Sequence, residues 1–189
     1  MPSPLSADIG NLRRVIAVIG SGSEPHSDIA RPLGQWLARE GYHLLSGGGQ
    51  GVMGETAAGF NSVAAHVGLA IGILPGHAQG SGQPVAAPPG YPNPFIDLAI
   101  RTHLPNTGAQ GKDAMSRNHL IVLSAHAVVA LPGGEGTRSE IELALEYHTP
   151  LLLFAPKGEW AAYEGRAASA ANLDEAFAWI KAAGQARCR

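Results

Sequence analysis

The sequence contains the run 127-AVVALPGGEGTRSE-140, which decides the fold because it joins a strand, a turn and a helix. Its first residues are apolar without interruption, which predicts a strand over 127–133 that is buried on both faces. The glycines that follow predict a tight turn. Apolar residues then recur at helical spacing, which predicts a helix over 137–148.

This turn is a candidate phosphate-binding site. Its glycines allow the backbone to pass close to a ligand, and the first turn of a helix has N–H groups without partners at the positive end of its dipole. A phosphate fits there. The alternative is that Thr137 caps the helix with Glu140 as its capping-box partner, because T-x-x-E is that signature. The ligand-binding residues predicted in this turn are Pro132, Gly133, Gly134, Glu135, Gly136 and Thr137.

Glu135 is unusual inside such a turn, and we expect it either to point outward or to bind a ribose hydroxyl or a metal ion. Two further glycine-rich turns follow apolar runs earlier in the chain. The run 46-SGGGQGVMGE-55 allows the same close approach, and 20-GSGS-23 begins like a dinucleotide fingerprint that Glu24 and Pro25 interrupt. The absence of G-K-[ST] excludes a Walker motif. The ligand-binding residues predicted here are Gly20, Ser21, Gly47, Gly48, Gly49 and Met53.

Apolar runs alternate with helical patterns along the chain. The pattern predicts strands over 14–20, 42–47, 67–74, 95–102, 127–133 and 150–155, and helices over 29–41, 52–65, 113–125, 137–148 and 172–184. This order is typical of an α/β fold, a Rossmann-like doubly wound parallel sheet with helices on both faces. Because crossovers are right-handed, the three glycine-rich turns should meet at one edge of the sheet and line one crevice.

The composition is that of a small globular protein. The chain has 189 residues, 45% hydrophobic and 15% charged, which predicts one domain over 1–189 with a flexible N-terminus at 1–12 and an irregular loop at 75–94. We expect this loop either to form a rim or lid beside the site or to be a plain surface excursion. The formal net charge of −2, with scattered Lys and Arg, argues against a nucleic-acid partner.

Other function classes are also disfavoured. The sequence starts without a secretory pattern, and no apolar stretch approaches the roughly 20 residues of a membrane helix, so we expect a cytoplasmic protein with no membrane partner. The single cysteine, Cys188, excludes an intrachain disulfide. The eight histidines occur singly, so no metal site is expected.

The paired motifs 47-GGGQGVMG-54 and 132-PGGEGTRSE-140 resemble those of the LOG (LONELY GUY) family, long mislabelled as lysine decarboxylases. The resemblance covers roughly residues 13 to 155. It implies hydrolysis of the N-glycosidic bond of a nucleoside 5′-monophosphate, with Arg117 and Glu140 as the catalytic pair, no required cofactor, and a homodimer or higher homo-oligomer. The alternative for Arg117 is a structural salt bridge to Glu140 or Asp113. No lysine lies in a pyridoxal-binding motif, so decarboxylation is not expected.

The departures from the LOG pattern point to a sister group. Asn118 stands where LOG enzymes usually have lysine, and Glu135 stands where they usually have an aromatic residue. The stretches 71-IGILPG-76 and 116-SRNHLIVLSAHAVVALPGGEGT-137 look closer to a group that includes molybdenum cofactor carrier proteins. This resemblance implies that the turns bind an AMP-like or pterin phosphate. The chain is then a phosphoribohydrolase or, alternatively, a non-catalytic carrier with bound molybdenum cofactor or a nucleotide sensor.

Overall fold

The computed structural model describes residues 14–76 and 86–186. Its seven strands form one sheet in the order β4-β3-β2-β1-β5-β6-β7, and every neighbouring pair is parallel. The strands are β1 Val15–Ile19, β2 His43–Ser46, β3 Ala70–Leu74, β4 Leu98–Arg101, β5 Ala127–Ala130, β6 Leu151–Leu153 and β7 Ala168–Ser169. The helices are α1 Ser27–Arg39, α2 Val52–Asn61, α3 Asn118–Ser124, α4 Glu135–Glu146 and α5 Leu173–Ala186. The predicted Rossmann-like α/β fold is confirmed.

The central strands are apolar throughout because helices cover both of their faces. In β1, Ile16 and Val18 point into the core beneath α1, α2 and α5. Ala17 and Ile19 point into the second core, beneath α3 and α4. All four side chains are at most 2% exposed, so neither face of β1 tolerates the polar alternation of a half-exposed strand.

Helices α1 and α2 pack backbone to backbone through glycine. A Cβ on Gly34 of α1 would lie 2.9 Å from the amide nitrogen of Phe60, and a Cβ on Gly59 of α2 would lie 3.0 Å from Cα of Arg31. Only glycine leaves room for this approach, because real Cβ atoms do not come so close to backbone. This close contact with α1 fixes the position of α2, and α2 directly follows one of the glycine-rich turns.

The order of strands creates a crevice at the carboxyl ends of β1 and β5. From β1 the chain continues to β2 on one side, whereas β5 lies on the other side. The turns that leave β1 and β5 therefore diverge, and ligands of open α/β sheets bind in such a crevice. The glycine-rich turns after β1, β2 and β5 all lie at this edge.

Several boundaries differ from the predictions. Helix α3 begins at Asn118 instead of 113, because residues 113–117 form turns closed by the Ser116 amide donating to the Asp113 carbonyl. The capping-box interpretation of Thr137 is wrong, because α4 begins at Glu135 with Gly134 as its N-cap. Strand β7 was not predicted, because a strand of two residues is too short to show a pattern of apolar and polar residues.

The opposite edge of the sheet is exposed. All four residues of β4 are exposed, including Leu98 at 46% and Ile100 at 43%. These two pair with Ile71 and Ile73 of β3 and share their face, on the side of α3 and α4. Helix α3 itself exposes Leu123 at 59%. We refer to Leu98, Ile100 and Leu123, which are exposed on this side of the sheet, as the uncovered apolar surface.

Some predictions lie outside the described residues. They concern the N-terminus at 1–12, residues 77–85 of the irregular loop, and Cys188. Within the two described ranges, no helix combines the length and apolarity needed to cross a bilayer. In the same ranges, no three His, Cys, Asp or Glu side chains gather as metal ligands.

Candidate functional site

A cavity of about 410 Å³ opens at the carboxyl edge of the sheet, within the size range of small-molecule sites. Residues of all three glycine-rich turns line it, together with the start of α3 and two loops. Its walls are formed by Ile19, Gly20, Ser21, Gly22, Ser23, Gly47, Met53, Tyr91, Thr107, Gly108, Arg117, Asn118, Gly134, Gly136, Thr137 and Glu140.

Ser21 forms hydrogen bonds that connect the three glycine-rich turns. Its amide donates to the carbonyl of Pro132 at 2.9 Å, and its own carbonyl accepts from the amide of Val52 at 2.9 Å. Its Oγ accepts from the amides of Ser23 at 3.2 Å and Glu24 at 2.9 Å. The backbone of one residue thus fixes the turn after β1 to those after β5 and β2.

The turns meet so closely that glycine is required at their contacts. A Cβ on Gly133 would lie 2.9 Å from both the carbonyl carbon of Gly20 and the amide nitrogen of Ser21. Gly51 has a φ of +60°, which side-chain-bearing residues rarely adopt, and its Cβ would lie 2.7 Å from the carbonyl carbon of Gly22. These two glycines allow the turns to pack against one another. This packing explains why glycine is present at positions that do not line the cavity.

The N-terminus of α4 faces the cavity. Arg138 is the first residue whose amide bonds to the helix N-cap, donating to the carbonyl of Gly134 at 3.0 Å. The amides of the preceding helical residues have no partner inside the helix, and they carry the positive end of the dipole. Thr137, only 2% exposed, places its hydroxyl against Gly133 beside these amides. The arrangement suits an anion.

Arg117 also lines the cavity and is 5% exposed. Its guanidinium lies over Gly47, where a Cβ would be 2.7 Å from Nη2, and its Cζ is 5.8 Å from the centre of the Tyr91 ring. Its Nε has no hydrogen-bond partner, and in residues 14–76 and 86–186 it forms no ion pair. The salt-bridge alternative is therefore wrong. A buried guanidinium without a paired anion is costly, so this group is poised to receive one.

Glu140 lines the same cavity from the second turn of α4. The side chain is 8% exposed, and burial raises its pKa from 4.5 to about 7, while the nearby charge of Arg117 acts to lower that pKa. A carboxyl group with this pKa exchanges its proton near neutral pH, as groups in functional sites often do.

Not every predicted residue lines the cavity. Glu135 points outward, with a side chain 63% exposed and 3.6 Å from Nε of Arg138. Gly48, Gly49, Pro132 and Gly133 form the turns behind the cavity wall.

Seven lining residues were not predicted as site residues: Ile19, Gly22, Ser23, Tyr91, Thr107, Gly108 and Asn118. Asn118 directly follows Arg117, and its replacement of the usual LOG lysine was the available signal. Tyr91 belongs to the 75–94 loop, and its position agrees with the expectation of a rim beside the site. Thr107 and Gly108 lie in an irregular segment that carries no motif.

Residues 13–183 match the model of the SLOG cluster4 family. The chain belongs to this family. Its membership confirms the predicted relationship to the LOG-like Rossmann superfamily. A relative from Archaeoglobus fulgidus, described as an uncharacterized protein, is 34% identical over 133 residues, which are 69% of this chain and 73% of the relative.

Solved structures also resemble this SLOG cluster4 chain. The molybdenum cofactor binding protein from the phototrophic bacterium Rippkaea orientalis has a TM-score of 0.67 at 29% identity, covering 91% of this chain and 98% of its own. The molybdenum cofactor carrier protein MCP from Chlamydomonas reinhardtii has a TM-score of 0.66 at 26% identity, with the same coverages. The predicted similarity to the carrier sister group is confirmed.

Proposed function

We propose that this chain binds a phosphorylated pterin of the molybdenum cofactor class and carries it without cleaving it. The observation that carries the proposal is the buried guanidinium of Arg117, which forms no ion pair in the described residues and lines the same cavity as the N-terminus of α4. Similarity to proteins that bind or carry molybdenum cofactor supports the choice of ligand class.

The residues of the cavity fit such a ligand. In this proposal the phosphate lies on the amides at Gly134 to Thr137, with the Thr137 hydroxyl adding a further donor. Arg117 supplies the second positive charge, and its planar fork of donors suits phosphate or a molybdenum oxyanion. The cofactor is cargo here, and the protein contributes binding, orientation and shelter from solvent.

A second candidate is the phosphoribohydrolase activity, which Glu140 favours. N-glycoside cleavage passes through an oxocarbenium-like state, and a buried carboxylate beside the sugar would stabilise that positive charge or activate water. Water would add to the sugar, and base and ribose 5-phosphate would leave. The raised pKa of Glu140, about 7, suits such a role, whereas a protein that only carries its ligand does not need a catalytic carboxyl group.

One experiment separates the two candidates. Freshly purified protein is analysed for molybdenum and pterin, and is then incubated with AMP while free adenine is followed by chromatography. The carrier proposal predicts bound pterin in wild type and in Glu140→Gln, its loss in Arg117→Ala, and no adenine release. Adenine release by wild type that is abolished in Glu140→Gln would instead establish the hydrolase.

We also propose that the chain forms a homodimer or higher homo-oligomer, as the resemblance to LOG implies. The uncovered apolar surface supports this, since Leu98 and Ile100 of β4 and Leu123 of α3 are exposed on one face of the sheet. Exposed apolar residues on one side of a protein are a common feature of interaction sites, and a second copy of this side carries matching apolar residues.

A further inference from the structure

The cavity has an apolar end that the phosphate-binding turns do not explain. Tyr91 and Met53 both pack against Gly49, where a Cβ would lie 2.9 Å from Cε1 and Cζ of Tyr91 and 2.8 Å from Cε of Met53. Both side chains line the cavity, and Met53 is 9% exposed. The Tyr91 ring is only partly buried, so one part of it is open to the cavity.

The segment that carries Tyr91 is clamped to the turn after β2. Asn93, 2% exposed, donates its amide to the carbonyl of Gly48 and its Nδ2 to the carbonyl of Gly49, each at 2.8 Å. Nε2 of Gln50 donates to the carbonyl of Gly90 at 2.9 Å. These three hydrogen bonds to one turn hold the residues on both sides of Tyr91. The Tyr91 ring therefore has a fixed position in the cavity wall.

Arg117 stands between this apolar end and the anion-binding end. On one side its Cζ is 5.8 Å from the Tyr91 ring centre, and on the other its charge acts on Glu140 of α4. A ligand that spans the cavity therefore meets an aromatic ring, then a guanidinium, then the exposed amides of a helix. This order matches a flat heterocycle joined through a short polar linker to a phosphate.

We infer that Tyr91, flanked by Met53, is the recognition surface for a planar, nitrogen-rich heterocycle of the pterin or purine class. The inference rests on the proposed function, because it assumes that the ligand's phosphate lies at α4. The Tyr91 ring supplies stacking area for such a heterocycle.

The test compares two probes that share a phosphate and differ in the heterocycle, AMP and ribose 5-phosphate. Affinities are measured by isothermal titration calorimetry for Tyr91→Ala and Tyr91→Phe, all in a Glu140→Gln background so that AMP stays intact. Stacking on an aromatic side chain is worth enough that Tyr91→Ala should weaken AMP by about 10- to 100-fold. Ribose 5-phosphate affinity should stay within about twofold, and Tyr91→Phe should stay within about threefold for both probes.

Phe95→Ala is the matched control, because Phe95 is an aromatic residue that lies, like Tyr91, between β3 and β4, is 41% exposed and does not line the cavity. It should leave both affinities unchanged. If Tyr91→Ala weakens both probes equally, or weakens neither, the inference fails while the proposed function stands. If the Glu140→Gln parent binds neither AMP nor ribose 5-phosphate, the anion site at α4 that the proposed function assumes is refuted, and the inference fails with it.

Discussion

Replacing Glu140 by Gln should change how the stability of the protein depends on pH. Burial raises the pKa of Glu140 from 4.5 to about 7 in the folded state, so the folded protein holds this proton more tightly than the unfolded chain does. Between these two values the unfolded chain binds fewer protons, and the free energy of unfolding falls as pH rises. At about 1.4 kcal/mol per unit of pKa, the loss approaches about 3 kcal/mol above pH 7.

Glutamine resembles the protonated carboxyl in shape and carries no charge, so Glu140→Gln should escape this loss. Urea unfolding at several pH values measures the effect. We expect similar stabilities near pH 4 and a variant more stable by about 3 kcal/mol near pH 8. Glu164→Gln, at an exposed position, serves as control and should keep the wild-type profile. Parallel profiles for wild type and Glu140→Gln would refute the argument that burial of this carboxyl is costly.

Three further predictions test the turns, the guanidinium and the surface. Gly133→Ala should lower the free energy of unfolding in urea by about 1–3 kcal/mol, because its Cβ would lie 2.9 Å from backbone atoms of Gly20 and Ser21. Gly134→Ala meets nothing within 4 Å and should cost less, about 1 kcal/mol at most, because it changes only the N-cap of α4. Arg117→Lys should weaken AMP binding by about 10-fold or more in calorimetry, because lysine lacks the forked donors; equal affinity would contradict the assigned role. Leu123→Glu should shift the mass found by light scattering towards that of the monomer, and an unchanged oligomer would exclude this surface as the interface.

Much of the fold was predictable from the sequence, because its signals are local. Strands such as β1 and β5 are buried on both faces, so they appear as short apolar runs that need no knowledge of their neighbours. Once the strands are parallel, chain direction alone brings the turns after β1, β2 and β5 to one edge. The glycines that pack these turns together, such as Gly133, could also be recognised, because they cluster in short runs directly after the predicted strands.

The remainder depends on contacts between segments far apart in the chain. Nothing local in the sequence shows that Tyr91 reaches the cavity, because its position is set by hydrogen bonds from Asn93 to a turn more than forty residues earlier. Glu135 sits in the middle of the motif, yet the helix begins at that residue and turns its side chain outward. The sequence also does not show that Nε of Arg117 lacks a hydrogen-bond partner, because this depends on which residues surround it in the fold.

The way in which Ser21 joins the turns has an evolutionary consequence. Two of the hydrogen bonds that align the glycine-rich turns at the carboxyl edge of the sheet use its backbone amide, which only proline lacks, and its carbonyl, which every residue has. Substitutions of side chains along this edge can therefore accumulate without disturbing the alignment, provided that the tightly packed glycines are kept. The shape and charge of the cavity can then change through other lining side chains, such as those of Tyr91 and Arg117, while this main-chain frame is kept.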